Sequence, residues 1–119
     1  MSTLTITPEQ KIARSHQKFA QANQREAYLL EQSYKDFWGG DKAQRLAMAA
    51  GLNAHALNQG TTAEAVFAEH ALRWAQLVAR DPSFASRVPV PPVDMSAVYD
   101  GGGMIDLTLF EAALDALEE

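Results

Sequence analysis

No glycine interrupts the chain between Thr7 and Trp38, and its large apolar residues thicken toward the C-terminal end of that stretch. Ile12 and Phe19 stand alone, whereas Tyr28, Leu29, Leu30, Tyr34, Phe37 and Trp38 crowd together. Thr7 is placed to cap a helix, Pro8 suits the first helical position, and Glu9 and Gln10 supply acid and amide to the first turn. The spacing predicts one helix from Pro8 to Trp38, about 30 residues and roughly 45 Å long, ended by Gly39 and Gly40. Its first half reads as a polar arm and its second half as core. Positions 12, 16, 19, 23, 26, 30, 33 and 37 follow a 4-3 spacing but hold Ile, His, Phe, Asn, Glu, Leu, Ser and Phe. Such a seam is too polar for a self-sufficient coiled coil, so the arm is expected to contact a partner subunit.

Beyond the double glycine, Asp41 can cap a second helix running to Ala50, with Gly51 as its left-handed stop. A short helical turn from Asn53 to Gln59, closed by Gly60, is expected next. Thr61 and Glu64 form a capping-box pattern ahead of a third helix, Ala63 to Arg80. Val66, Phe67, Leu72, Trp74, Leu77 and Val78 give that helix an apolar side, and Asp81-Pro82 ends it. It should pack on the aromatic half of the first helix, with Phe37, Trp38, Phe67 and Trp74 as core anchors.

At Arg87 the character of the chain changes. Pro89, Pro91 and Pro92 force an extended strap without the donors that a central strand needs. Gly101, Gly102 and Gly103 then read as a flexible break. The last helix follows, with Thr108 and Glu111 in a second capping-box pattern and Leu109, Phe110, Ala113, Leu114 and Leu117 on one face. Because a strap and a hinge precede it, this helix is expected to dock on a neighbouring subunit rather than on its own core. The fold class expected is mostly α: a small helical bundle with a long N-terminal helix, a proline-rich extended strap and a glycine-hinged C-terminal helix. Its divisions would be a helical domain with N-terminal arm over 1–86, the strap and hinge over 87–103, and the terminal helix over 104–119.

Of the 119 residues, 47% are hydrophobic, and many of these are alanine, which buries little area. A thin core of this kind favours oligomerisation. The net charge of -5 opposes the counterion release on which nucleic-acid affinity rests. With no cysteine, disulfides, thiolate metal sites and cysteine nucleophiles are excluded. The N-terminal stretch lacks the basic flank and apolar run of a signal peptide, and no stretch approaches the ~20 apolar residues of a membrane span. The expected place of synthesis is a cytoplasm.

Arg45 to Gln59 resembles a helix-turn-helix, with Ala47, Ala49, Gly51, Leu52 and Leu57 near the spacings of that motif. The stretch Asn53 to Gln59 offers Asn53, His55, Asn58 and Gln59 as base readers. It has no Lys or Arg to hold phosphate, and Lys42 and Arg45 lie ahead of it. A plain helical corner is the better reading, with a small DNA-binding regulator as the alternative. Catalytic patterns are missing too: His16, His55 and His70 are far apart, Glu69 and His70 are adjacent rather than at ligand spacing, and no HExxH, GxSxG or P-loop occurs. Asp115, Glu118 and Glu119 read as a solvated tail. Neither enzyme activity, cofactor, metal nor small-molecule substrate is expected.

Phe37-Trp38, Gly39-Gly40, the segment Leu46 to Ala56, the helix Ala63 to Arg80 and the prolines before Met95 together resemble small proteins encoded in tailed-bacteriophage genomes. The resemblance covers about Tyr28 to Met95. It implies a structural role in the virion, in the tail or tail-fibre attachment region, with other virion proteins and further copies of the chain as partners. Two features depart from that layout, the Asn58 to Thr62 insertion and the glycine-linked terminal helix. Partner contacts are expected at Ile12 and Phe19 on the arm, at Val88, Val90 and Val93 in the strap, and at Phe110, Leu114 and Leu117 on the last helix.

Overall fold

A computed structural model describes residues 7–118. Met1 to Ile6, the start of the expected arm, and Glu119 of the acidic tail lie outside the described residues. The chain is mostly α-helical: α1 (Pro8–Trp38), α2 (Lys42–Asn58), α3 (Ala63–Arg80) and α4 (Leu107–Leu117), with two 3-10 segments at Pro82–Arg87 and Met95–Ala97. Among the described residues there is no β-strand, only one isolated antiparallel bridge between Tyr99 and Ile105.

α1 starts where its first turn demands. The Thr7 hydroxyl accepts from the Gln10 backbone, and the Gln10 side chain accepts from the Thr7 backbone, so two otherwise unpaired N–H groups are satisfied. Asp41 and Gln44 repeat the same reciprocal arrangement at the start of α2.

α2 corrects the expected corner. It runs without interruption through Gly51 to Asn58, and the left-handed residue that ends it is Gly60, with φ of 68°. There Thr61 N donates to the Ala56 carbonyl and Gly60 N to that of Leu57, the two bonds that close a helix on a left-handed glycine. Gly51 is helical because the alanines and leucines flanking it all favour helix, and one internal glycine costs only about 1 kcal/mol. The helix-turn-helix expected at Arg45 to Gln59 therefore has no turn. Asn53, expected as a base reader, instead clamps the backbone of Ile105: its amide donates to the carbonyl and accepts from the N–H, both at 2.9 Å. The α3 cap is Thr62 rather than Thr61, its hydroxyl accepting from Ala65 N.

The glycine hinge is also corrected. Asp100 accepts through its carboxylate from Gly102 N and Met104 N, and its own N–H donates to the Met104 carbonyl. Gly103, at φ 82°, sits in the left-handed region, and its carbonyl accepts from Glu64 N at the head of α3. This tight turn, reinforced by Asp106 N donating to the Val98 carbonyl, holds α4 in place. The α4 cap is Asp106, accepting from Thr108 N and Leu109 N, so Thr108 lies inside the helix.

Two apolar clusters form along the α1–α3 pair. The larger joins Phe37 and Trp38 of α1, Ala49 of α2 and Ala63 of α3 to Val93, Met95, Val98, Ile105, Phe110 and Leu114, with Phe67 partly buried against it. Phe37, Trp38, Phe67 and Phe110 meet as tilted and edge-on rings with centroids 4.7–6.0 Å apart. The smaller joins Ala27 and Leu30 of α1 to Trp74, Leu77 and Phe84. Trp74 thus anchors a different cluster from Phe37, Trp38 and Phe67. Val93, Phe110 and Leu114, expected to meet partners, are buried in the larger core, and α4 docks on its own chain. Residues from all three expected divisions share that core, because the three-glycine turn aims α4 back at Trp38. Lys42, at the start of α2, adds ion pairs to Glu111 at 3.1 Å and Asp115 at 2.6 Å across this contact. Asp115 is therefore part of a bridge rather than a free tail.

Candidate functional site

Two features are left over once the core is accounted for: a cleft in the body and an arm outside it. The buried positions of α1 are Asn23, Ala27, Leu30 and Phe37, with Trp38 beside them. Counting back at 3.6 residues per turn, the same face continues through Phe19, His16 and Ile12. Apart from Arg80 over the Phe19 ring, it stands open there: every residue from 8 to 22 is exposed, Ile12 at 56% and Phe19 at 59%. The arm leaves its mark on the shape. The molecule extends 70 × 33 × 23 Å with a radius of gyration of 19.6 Å, where a compact domain of this length would have ~13–14 Å.

The arm also differs in charge. Lys11, Arg14 and Lys18 against Glu9 alone give residues 1–22 a net +2, so the rest of the chain carries -7 of the total of -5. Lys11, Arg14 and Lys18 recur at helical spacing along a ridge beside the Ile12–Phe19 line. None of the three pairs with a described carboxylate, although Arg73, Arg80 and Arg87 all do. Where the arm joins the body, Arg80 donates to the buried Asn23, pairs with Glu26 at 3.5 Å and lies over the Phe19 ring.

The cleft lies between the two clusters. It encloses about 500 Å³, within the range of ligand and peptide sites. Its walls come from Leu30, Tyr34 and Phe37 of α1, Met48, Leu52 and His55 of α2, Phe67, His70 and Trp74 of α3, and the strap at Val88, Pro89 and Pro91. α2 can wall a cleft rather than fill it because its facing residues Ala47 and Gly51 are small. Open space surrounds the position that a Cβ on Gly51 would take. The strap is fastened rather than loose. Arg87 reaches Glu31 at 2.6 Å and Gln24 at 2.7 Å, and the Tyr34 hydroxyl donates to the Val90 carbonyl at 2.8 Å.

The cleft is almost wholly apolar, with few polar groups. Asp36 stands at the rim, exposed and without a cation beside it among the described residues. Burial pushes the His70 imidazole below its usual range, Arg73 adds to that and Glu69 opposes it. The Asp115 and Glu111 carboxylates, on the other side of α2, hold the Lys42 ammonium above its usual range. Arg45, the second cation expected near a helix-turn-helix, donates to the Trp38 carbonyl and so caps α1. No group of three or more His, Asp and Glu able to hold a metal occurs among the described residues, and none of their helices is long and apolar enough to cross a membrane.

Of the residues expected to meet partners, Ile12, Phe19, Val88, Val90 and Leu117 are exposed; Val93, Phe110 and Leu114 are not. Val88 belongs to the cleft wall. Met48 is not singled out by the sequence, and Gly51, His55 and His70 are weighed there only as a turn, a base reader and a rejected metal ligand, not as walls of a cleft. The available signal was the run Ala47 to Gly51, too small on one side to fill the space between α1 and α3. Comparison of the chain with protein-family models, curated proteins and solved structures finds no match.

Proposed function

We infer that the protein is a non-enzymatic structural subunit that works by protein–protein contact, as small proteins of tailed-bacteriophage particles do at the tail or tail-fibre attachment region. The observation that carries this reading is the arm. A helix continued outward with its apolar face largely exposed gains little from intramolecular packing, and solvated helices of this length are marginal. A partner that covers Ile12 and Phe19 supplies what the body does not. The cleft serves the same reading, since an amphipathic helix laid in an apolar groove is a recurrent mode of protein recognition.

The particle assignment is tested by mass spectrometry of purified particles from the source culture, where the chain is expected at fixed stoichiometry. Its confinement to the soluble lysate would remove the virion from the reading. Deletion of residues 1–22 tests the role of the arm: the shortened chain should melt as the parent does but fail to enter particles.

A further inference from the structure

The exposed apolar face of the arm and the apolar cleft lie on the same chain but cannot meet within it. Leu30, where the cleft begins, is 18 residues beyond Ile12 on one continuous helix, a separation of ~27 Å along the axis. The arm points away from its own cleft.

A second copy removes that obstacle, and charge favours it. Two arms side by side would set +2 against +2, and two bodies would set -7 against -7. An arm on a body sets +2 against -7. Asp36 at the cleft is an exposed carboxylate that the ridge of Lys11, Arg14 and Lys18 on a docked arm could meet. The chemistry of the surfaces agrees: Ile12 and Phe19 are the large apolar residues of the arm between Pro8 and Ala22, and the cleft offers aromatic and aliphatic walls. Gly51 leaves room on the α2 side for an approaching helix.

We propose that the cleft between α1, α2, α3 and the strap receives the N-terminal arm of a second copy of this chain, its Ile12–Phe19 face inward and its cationic ridge over the acidic body. The exchange can be reciprocal, which closes a two-fold dimer, or head-to-tail, which builds a ring or a filament. This rests on the reading of the protein as a contact-mediated subunit.

The full-length chain allows a direct test because it has no cysteine of its own. One preparation carries Phe19→Cys and a second carries Met48→Cys, on the exposed part of the cleft wall. When mixed under oxidising conditions they should form a disulfide-linked heterodimer. Phe19→Cys mixed with Ala112→Cys, on the outer side of α4, should not. In parallel, sedimentation should show a larger species that dissociates as salt rises, since exposed charges are screened beyond ~8–10 Å at 0.1–0.15 M. Gly51→Leu, which fills the cleft from a position with free space, should abolish that species while melting at or above the parent temperature. Phe19→Glu should abolish it from the other side.

Crosslinking of Phe19→Cys to itself in place of Met48→Cys would show arm on arm and overturn the proposal. Self-association that survives Gly51→Leu would move the arm to another surface and overturn it as well. A chain monomeric at all concentrations would exclude a second copy as the occupant. The particle experiment is unaffected by that result, so a contact subunit whose arm binds a different virion protein remains distinguishable from no contact subunit at all.

Discussion

Gly51 and His70 face the same cleft, and each carries a consequence that can be measured without any partner. Gly51 lies inside α2 with a helical backbone, and beyond its own helix backbone nothing stands within 4 Å of where a Cβ would sit. Gly51→Ala should therefore raise stability by ~0.5–1 kcal/mol, the cost of glycine in a helix interior, read as a higher melting temperature. A lower one would mean that Gly51 is needed for a bend or a close backbone contact. His70 has its pKa lowered in the folded chain, first by burial and then by Arg73. Its neutral form is the one that the fold favours. The resulting stability is fully present above the ordinary value of 6.5 and is lost as pH falls through the lower folded value, because the unfolded chain binds the proton first. The melting temperature should drop between pH 7.5 and pH 5, and His70→Gln should flatten that part of the profile. A profile unchanged by His70→Gln would place the imidazole in solvent. The aromatic anchors Phe37, Trp38 and Trp74 could be read from their density beside other large apolar residues, which the isolated Ile12 and Phe19 of the arm lack. The role of Asn53 could not: an asparagine in a helix announces neither base contact nor the clamp on Ile105, and only the path of the chain 52 residues later decides between them.

Helix starts proved legible to within a residue or two wherever a side chain makes the first bond locally. Thr7 and Asp41 are caps as expected, and α1 and α3 have their expected bounds. Stops and turns were less so, because glycine is permissive rather than directive. Gly51 continues a helix, Gly60 ends one, and Gly103 makes a tight turn, and all three look alike in the sequence. The three-glycine stretch is the instructive case. A hinge and a turn need the same residues, and what distinguishes them is Asp100, whose carboxylate collects two backbone N–H groups and folds the segment on itself. Gly103→Ala should accordingly destabilise by at least the ~1–2 kcal/mol of a left-handed non-glycine residue, with further loss because the new Cβ would sit 3.0 Å from that of Thr62. Gly101→Ala, at ordinary φ and in open space, should be close to neutral. Equal effects at the two positions would restore the picture of a free hinge.

The division of charge and the elongated shape belong to the chain as a unit. Net charge was read from the sequence as -5, but its separation into a cationic arm and an acidic body matters only once the arm is seen to stand clear of the core. Beyond the small residues Ala47 and Gly51, the cleft was not legible: its walls come from residues between Leu30 and Pro91, and the space between helices depends on crossing geometry that no local pattern encodes. Of the two ends expected to reach out to partners, only the N-terminal arm stands outside the core. α4 has only 11 residues, too short for stability by itself, yet Phe110 and Leu114 are sealed in the larger core and Lys42 bridges it to α2. The arm is the longer piece but buries none of its residues from 8 to 22. Local opening free energy follows buried contacts, so it should be near zero along the arm and approach the global value at α4. Hydrogen exchange on the dilute, monomeric chain reads this difference. Amides from Ile12 to Ala20 should exchange quickly, since helix propagation from an anchored segment adds little protection per residue. Those of Ala113 to Leu117 should be slow, and on assembly protection should appear in the arm while α4 changes little. Fast exchange in α4 with a protected arm would mean that the core is built from the other end of the chain.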